Sequence, residues 1–297
     1  FEPMWRSRRL YIGRRLHHKV LVTDHRYALV SGRNIADRYM DFEDDPAWYD
    51  LALEIEGKAA IDLAILCCYL WNRSIHMKDT AYAHPPSLAD RQALRDSWPS
   101  DVRCSARVLF NDWLRGETQI TRSFREMFDN AGQSIHLVSS YFIPGRIFKR
   151  MLSRAAKRGV KMVVVTAERS DVILSKGAER WLYPWLLRNG AEVYEYQPDV
   201  LHAKYAVSDG KRVTIGSFNI NDLSTYTTLE TNVEVFDETL AEQVTEHVRE
   251  VVRNECRRIG LQEEQDRGHM QRFSRWIAYQ TVRGVHGLVT SYYKREV

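Results

Sequence analysis

Residues 17–34 read HHKVLVTDHRYALVSGRN, and residues 202–219 read HAKYAVSDGKRVTIGSFN. Both stretches spell His-x-Lys, four residues, Asp, six residues, a small pair containing glycine, one residue and Asn. A unit repeated at fixed spacing decides the fold before any single element does, because it implies two related lobes. Apolar residues alternate on either side of Asp24-His25 and of Asp209-Gly210, so each copy reads as a β-hairpin. Residues two apart on a strand share a face, which projects His17 with Lys19 and His202 with Lys204. With a two-residue turn at Asp209-Gly210, Ser217 stands opposite His202 and Asn219 lies on the same side. Each hairpin face then offers an imidazole, an ammonium and an amide. That set fits a phosphate: lysine neutralises the oxygens, asparagine donates to them, and histidine does covalent or proton-transfer work. The copies differ in the small pair, Gly216-Ser217 against Ser31-Gly32. A hydroxyl contact to phosphate is therefore expected from Ser217 and not from Ser31, with unequal roles for the two half-sites. Asp24 and Asp209, at the turns, are expected to bond to backbone and not to take part in chemistry.

Around the second copy the pattern alternates. Ala106–Phe110, Ile135–Phe142, Val160–Ala167 and Ala191–Tyr196 read as strands. Thr118–Ala131, Arg146–Arg158 and a stretch ending at Leu187 read as helices, with Gly132, Gly159 and Gly190 as their C-caps. After the first copy, Leu51, Leu53 and Ile55 form a half-buried strand, and a helix runs from Gly57 to about His76. After the second, Leu229–Phe236 is a strand and Glu238 to about Ile259 a helix. Only residues 1–16 precede the first motif, so the first lobe reads as incomplete and the chain as truncated; Phe1 in place of an initiator methionine agrees. This gives an α/β chain divided as 1–76 (first lobe), 77–104 (connection, with Pro85, Pro86 and Pro99), 105–260 (second lobe) and 261–297 (a basic amphipathic tail). In the tail, Arg272, Arg275, Arg283 and His286 share one narrow strip. Phe273, Ile277, Val285, Leu288 and Val289 share a broad opposite face. Such a helix lies in a membrane interface or docks on the protein body.

Composition narrows the class. With 297 residues, 44% hydrophobic and 28% charged, the chain is not disordered as a whole. The longest mostly apolar stretch, 59–71, carries Asp62 and falls short of the roughly 20 residues a membrane span needs. Cys67, Cys68, Cys104 and Cys256 show no paired metal spacing and are expected as reduced core residues. The net charge of +4 is uneven, with residues 1–19 at +5, residues 251–297 at +4 and the body negative. Basic ends on such a body suit a phosphate-rich partner. The basic run Arg6, Arg8, Arg9, Arg14 and Arg15 suits an anionic surface or a solvated face. No interleaved basic and aromatic stripe points to nucleic acid. Tyr141 and Phe142, before Pro144-Gly145, line a substrate entrance or pack at a sheet edge. His18, His25, His136, His247, His286, Trp181 and Trp185 read as bystanders or core.

The paired H-x-K-x4-D-x6-G-[GS]-x-N motifs resemble the phospholipase D superfamily. RNIADRY after the first motif, WYDLALEIEG, SSYFIPG and DVLHAKYAVSD are similar to bacterial cardiolipin synthases, and the resemblance runs from about Arg14 to about Ile259. It implies two phospholipase D-like lobes, each a mixed β-sheet flanked by helices, sharing one active site. It also implies phosphatidyl transfer to phosphatidylglycerol through a phosphohistidine, with neither metal nor other cofactor. His17 is then the nucleophile and His202 the acid/base. Lys19, Lys204, Asn34 and Asn219 hold the phosphate, and Asp50 and Glu230, downstream of the motifs, orient the histidines. The expected partners are anionic phospholipids and a membrane surface, with a place at the bacterial inner membrane; nothing bears on oligomeric state. A phosphodiesterase or nuclease would use the same motif, and a non-catalytic lipid-binding fragment would retain it.

Overall fold

The computed structural model describes residues 15–42, 46–74, 81–98, 104–112 and 116–294, together with the backbone of a short antiparallel pair, β1 (Trp5–Arg6) and β2 (Arg9–Leu10). The side chains of the basic run before Arg15 lie outside the described residues.

The first motif lies in a three-stranded antiparallel sheet of β3 (Val20–Thr23), β4 (Tyr27–Ser31) and β5 (Ala52–Glu56), followed by α1 (Lys58–Ser74). Asp24 and His25 both adopt positive φ, 53° and 55°, and the Arg26 amide closes the turn on Thr23 O. Thr23 pairs with Tyr27, so three residues separate the ladder ends instead of two. The second hairpin, β11 (Lys204–Ser208) and β12 (Arg212–Gly216), has the same design, with φ of 52° and 62° at Asp209 and Gly210 and Ser208 paired with Arg212. The extra residue shifts the register by one. Ser217 is therefore not opposite His202, contrary to the reading from a two-residue turn.

That second hairpin is central in a nine-stranded mixed sheet. The remaining strands are β6 (Ser105–Asp112), β7 (Glu117–Thr118), β8 (Ser134–Ser139), β9 (Lys161–Ala167), β10 (Ala191–Tyr196), β13 (Glu230–Phe236) and β14 (Cys256–Arg258). Their order is β14-β10-β9-β8-β11-β12-β13-β6-β7, with β8, β9 and β10 parallel as strand–helix alternation requires. On one face lie α3 (Gln119–Asn130), α4 (Arg146–Lys157) and α5 (Ile173–Arg188), whose Phe124, Phe148 and Leu186 pack on Ile135, Leu137 and Val164. The short α6 (Asp222–Tyr226) follows β12, and on the other face α7 (Glu238–Glu255) packs Ala241, Val248 and Val251 on Val138, Val165 and Val207. The small sheet stacks there too, with Ala28, Val30 and Ile55 against Val233 and Val235. Burying these side chains contributes about 1.5–3 kcal/mol each, which fixes the two motif sheets face to face.

Four readings are corrected. The last helix of the second lobe stops at Glu255, because Cys256–Arg258 extends the open edge of β10, where Arg257 meets the fully buried Glu195 at 3.2 Å. Gly159 and Gly190 have the positive φ of a helix end, but Gly132 does not; Ala131 already leaves α3 in an extended conformation. The connection contains α2 (Leu88–Asp96), started by a capping box of Ser87 and Asp90. Cys67, Cys68 and Cys256 are only half-buried and Cys104 is exposed.

Past Gly260 come α8 (Leu261–Gln265) and α9 (His269–Lys294). α9 docks on α5 through Ala278 and Val282, and His286 and Thr290 are buried with them. Gly177 permits this approach, since a Cβ there would stand 2.9 Å from that of Ala278. Arg275 is ion-paired at 2.6 Å to buried Glu264. Thus Arg275 and His286 of the narrow strip face the protein, while Phe273, Ile277, Val285 and Leu288 of the broad apolar face remain exposed. No helix among the described residues is long and apolar enough to cross a membrane.

Candidate active site

Two isolated parallel bridges bring the motifs together. Leu16, one residue before His17, bridges Leu229, one residue before Glu230; Leu201, one residue before His202, bridges Tyr49, one residue before Asp50. The His17 amide donates to Leu229 O at 2.9 Å, and the His202 amide to Tyr49 O at 2.8 Å. The consequence is reciprocal. His17 Nδ1 meets Glu230 Oε2 at 2.8 Å, and His202 Nδ1 meets Asp50 Oδ2 at 2.9 Å. Each carboxylate comes from the opposite lobe. With Nδ1–H donated to a carboxylate, each ring presents Nε2 for chemistry.

Glu230 is fully buried and holds three hydroxyls: Ser217 Oγ donates at 2.5 Å, Ser224 Oγ at 2.8 Å and Thr228 Oγ1 at 2.7 Å. Burial alone would raise its pKa, but His17 and these donors hold it below the ordinary carboxylate range. Ser217, read from the sequence as a phosphate contact, thus has its hydroxyl on the orienting carboxylate. Ser31 Oγ accepts from the Arg33 amide at 3.0 Å. Gly32 is glycine for a local reason: a Cβ there would stand 2.9 Å from Asp50 Oδ2 and 3.1 Å from Lys204 Cδ.

The lysines occupy different surroundings. Lys19 Nζ donates to His17 O at 2.9 Å, whereas Lys204 Nζ stands 2.9 Å from His202 Nδ1. Burial lowers the Lys19 pKa to about 8 and that of Lys204 to about 7. Burial, reinforced by Lys204, also lowers His202 to about 4, against the opposing pull of Asp50. Both ammoniums are thus held short of solvent, with Asp50 and Glu230 as the opposing charges. Asn219 is buried, and its Oδ1 accepts from Ser140 Oγ at 2.9 Å, leaving its amide donors for another acceptor. Asn34 is exposed and donates to the Tyr39 hydroxyl at 3.2 Å. Asp209 accepts from the amides of Gly132, Gln133 and Ser134 at 2.8–2.9 Å, tying the turn to the start of β8. Those bonds outweigh burial and lower its pKa. Asp24 occupies the matching turn.

Sequence reasoning passed over several neighbours. The Tyr39 hydroxyl lies 3.1 Å from His202 Nδ1, and the rings of Tyr39 and Trp48 stand 5.4 and 5.9 Å from the imidazole. Both belong to segments noted for resemblance, RNIADRY and WYDLALEIEG, without a role assigned. His18, taken as a bystander, bonds Thr231 Oγ1, and burial lowers its pKa to about 4. Ser139, opposite Lys204 in the β8–β11 ladder, is buried with no hydrogen-bond partner for its hydroxyl among the described residues. Tyr141 is tied to Asp171 through its hydroxyl, and Phe142 is wholly core. Among the described residues no group of three or more His, Cys, Asp or Glu is arranged to hold a metal ion.

Comparison with known proteins agrees with this geometry. The family described as cardiolipin synthase, PLD-like domain, matches residues 124–252. Cardiolipin synthase B of Salmonella typhi is 28% identical over 251 residues, covering 84% of this chain and 59% of the relative. Cardiolipin synthase C of Escherichia coli (strain K12) is 29% identical over 288 residues, 78% of this chain and 61% of the relative. The chain spans about three-fifths of the length of these curated relatives. Phosphatidylserine synthase of Haemophilus influenzae Rd KW20 shares the fold, with a TM-score of 0.66 over 93% of this chain and 70% of that one, at 14% identity. Two interlocked motif sheets with reciprocal histidine–carboxylate pairs, a family model matched over the second half and these relatives make the chain similar to cardiolipin synthases, on a fold shared with the phosphatidylserine synthase.

Proposed function

We propose that the chain is a phosphatidyltransferase of cardiolipin-synthase type that works on the anionic phospholipids of a membrane surface. The observation that carries this is the pair of reciprocal contacts, His17 to Glu230 and His202 to Asp50, with both motif lysines beside them. The diester phosphate of phosphatidylglycerol takes the place between the lysines and restores their protonation. His17 Nε2 attacks phosphorus, the bond to the headgroup glycerol oxygen breaks, and His202 Nε2–H gives that oxygen its proton. A headgroup hydroxyl of a second phosphatidylglycerol then loses its proton to His202 and attacks the phosphohistidine. Cardiolipin leaves, and both rings return to their starting state.

The order of attack follows from the lysines. His17 Nδ1 faces an ionised carboxylate alone, which enriches Nε2 in electron density. His202 has an ammonium at its Nδ1, which weakens it as a donor to phosphorus and makes it a ready source of a proton once the bound diester lets it hold one. The relatives named cardiolipin synthase support an alcohol over water as the second acceptor.

The test is to supply vesicles of phosphatidylglycerol and separate the lipids by thin-layer chromatography. Cardiolipin with one glycerol released per molecule is the expected product, lost in His17→Ala and in His202→Ala. Phosphatidate alone would replace transfer by hydrolysis, and no turnover by the folded protein would refute catalysis.

A further inference from the structure

α4 turns Phe148, Met151, Leu152 and Ala155 into the core and leaves Lys149, Arg150, Ser153, Arg154 and Lys157 on its outer face. At 100° per residue these five fall within one arc of the helix. With Trp185 of α5 they line an open cleft of about 340 Å³. Four cations converge there, and none of them pairs with a carboxylate among the described residues. A solvated helix face ordinarily interleaves both signs; this one holds a single sign, a hydroxyl and an indole. None of the lining residues belongs to either motif.

The cleft is built on its α9 side as well. Lys149 Nζ donates to the Tyr279 hydroxyl at 3.0 Å and sits 5.4 Å and 5.2 Å from the ring centres of Trp185 and Tyr279. Tyr279 has Trp276 three residues before it and Arg283 four residues after it, the positions adjacent on a helix surface. Trp276 in turn stacks on Phe273 with ring centres 5.8 Å apart. From there the exposed strip continues through Met270, Ile277 and Leu288. A basic cleft therefore passes, through an aromatic border, into an exposed apolar helix face.

We propose that the α4 cleft is a second anion site, separate from the catalytic centre, that takes the phosphate of an anionic phospholipid headgroup while the apolar strip of α9 enters the same leaflet. The commitment to a bilayer follows from this continuity: cations at headgroup level, tryptophan and tyrosine at the interface, and aliphatic side chains beyond them are the layering of a membrane surface. A nucleic acid would use the cations and leave the apolar strip bare. The inference rests on the reading of the chain as a protein of lipid surfaces, not on which reaction it catalyses.

The test is binding of the whole chain to sedimented phosphatidylcholine vesicles with and without phosphatidylglycerol. The triple variant Arg150→Gln, Arg154→Gln, Lys157→Gln should bind phosphatidylglycerol vesicles roughly 100-fold more weakly, at about fivefold per lost charge. Its thermal midpoint and its turnover of a soluble short-chain phosphodiester should stay unchanged, because the three side chains are exposed. A control of equal charge change on another surface, Arg122→Gln, Arg125→Gln, Lys161→Gln, should lose far less. Equal losses in both variants, or none in the first, would overturn the site. Displacement of the wild type by millimolar inorganic phosphate would overturn the lipid source, and duplex DNA binding that exceeds vesicle binding and vanishes in the first variant would overturn the bilayer. If the wild type makes no cardiolipin yet only the first variant leaves the vesicles, the proposed reaction fails and the site stands.

Discussion

Replacing Lys204 with methionine should make the protein inactive and more stable. The side chain is 3% exposed, and burial takes its pKa from 10.5 to about 7. Each pH unit of that displacement is about 1.4 kcal/mol, so keeping the ammonium protonated in the folded chain costs on the order of 5 kcal/mol. The folded-state pKa is depressed, so the cost is full below about pH 7. It declines as pH rises through the interval in which the unfolded chain still binds the proton and the folded chain does not. Methionine has similar length and no charge, and gives up the hydrogen bond that Lys204 Nζ donates to His202 O, at about 1–2 kcal/mol. A net gain of roughly 2–4 kcal/mol remains near neutrality, or about 4–8 °C for a chain of this size. Thermal unfolding of wild type and variant, followed by circular dichroism from about pH 6 to pH 9, measures it. The advantage of the variant should shrink by about 3 kcal/mol between pH 7 and pH 9. Inorganic phosphate should stabilise the wild type and not the variant. A variant less stable at every pH, or one whose advantage ignores pH, would refute the claim that Lys204 is held protonated against the cost of its burial.

Further consequences are open to measurement. Activity as kcat/KM should fall above about pH 7, and more steeply above about pH 8, because Lys204 and then Lys19 lose the charge proposed to hold the phosphate; a profile flat to pH 10 would be inconsistent. In nitrogen NMR, Glu230→Gln should alter the His17 ring and Asp50→Asn the His202 ring, each lowering turnover by about 10²–10⁴ through loss of the correct tautomer; the opposite pairing would contradict the crossed contacts. Ser139→Ala should leave stability unchanged or slightly higher, since its hydroxyl has no hydrogen-bond partner among the described residues, yet lower turnover of the diester about tenfold by removing a donor beside Lys204. Gly177→Val should force α5 from Ala278 and cost about 1–3 kcal/mol, with faster proteolysis of α9 as the readout.

The sequence reveals the hairpins because their chemistry is local. Alternation, an Asp-centred turn and His-x-Lys spacing all act within eighteen residues, and the strands of the second lobe follow from the same kind of pattern. What escaped is set by contacts distant in the chain. The family resemblance names Asp50 and Glu230 but not which histidine each serves, since that depends on the bridges Leu16–Leu229 and Tyr49–Leu201. The register shift comes from one bulged residue, which alternation alone does not expose. Cys256–Arg258 carries no stop signal before Gly260, and only the free edge of β10 makes it a strand. The capping box at Ser87 and Asp90 was legible, but the nearby prolines drew the segment into the connection. In α9 periodicity separates two faces and does not say which one docks; Gly177 and Glu264, on other helices, decide that.

The crossed pairs also explain why neither half-site can be built alone. A histidine and its carboxylate within one lobe would let each motif form its own site. Here the ring of one lobe takes its tautomer from the other, so neither imidazole is oriented until the sheets have stacked through Val30, Ile55, Val233 and Val235. Packing the interface and arming the chemistry are one event. The same event buries Lys204 and half-buries Lys19, so the energy released by the apolar contact offsets the cost of desolvating two ammoniums beside Asp50 and Glu230. On the proposed function, a bound diester replaces the solvation that burial takes from these ammoniums, so readiness for an anion is a product of how the two halves close.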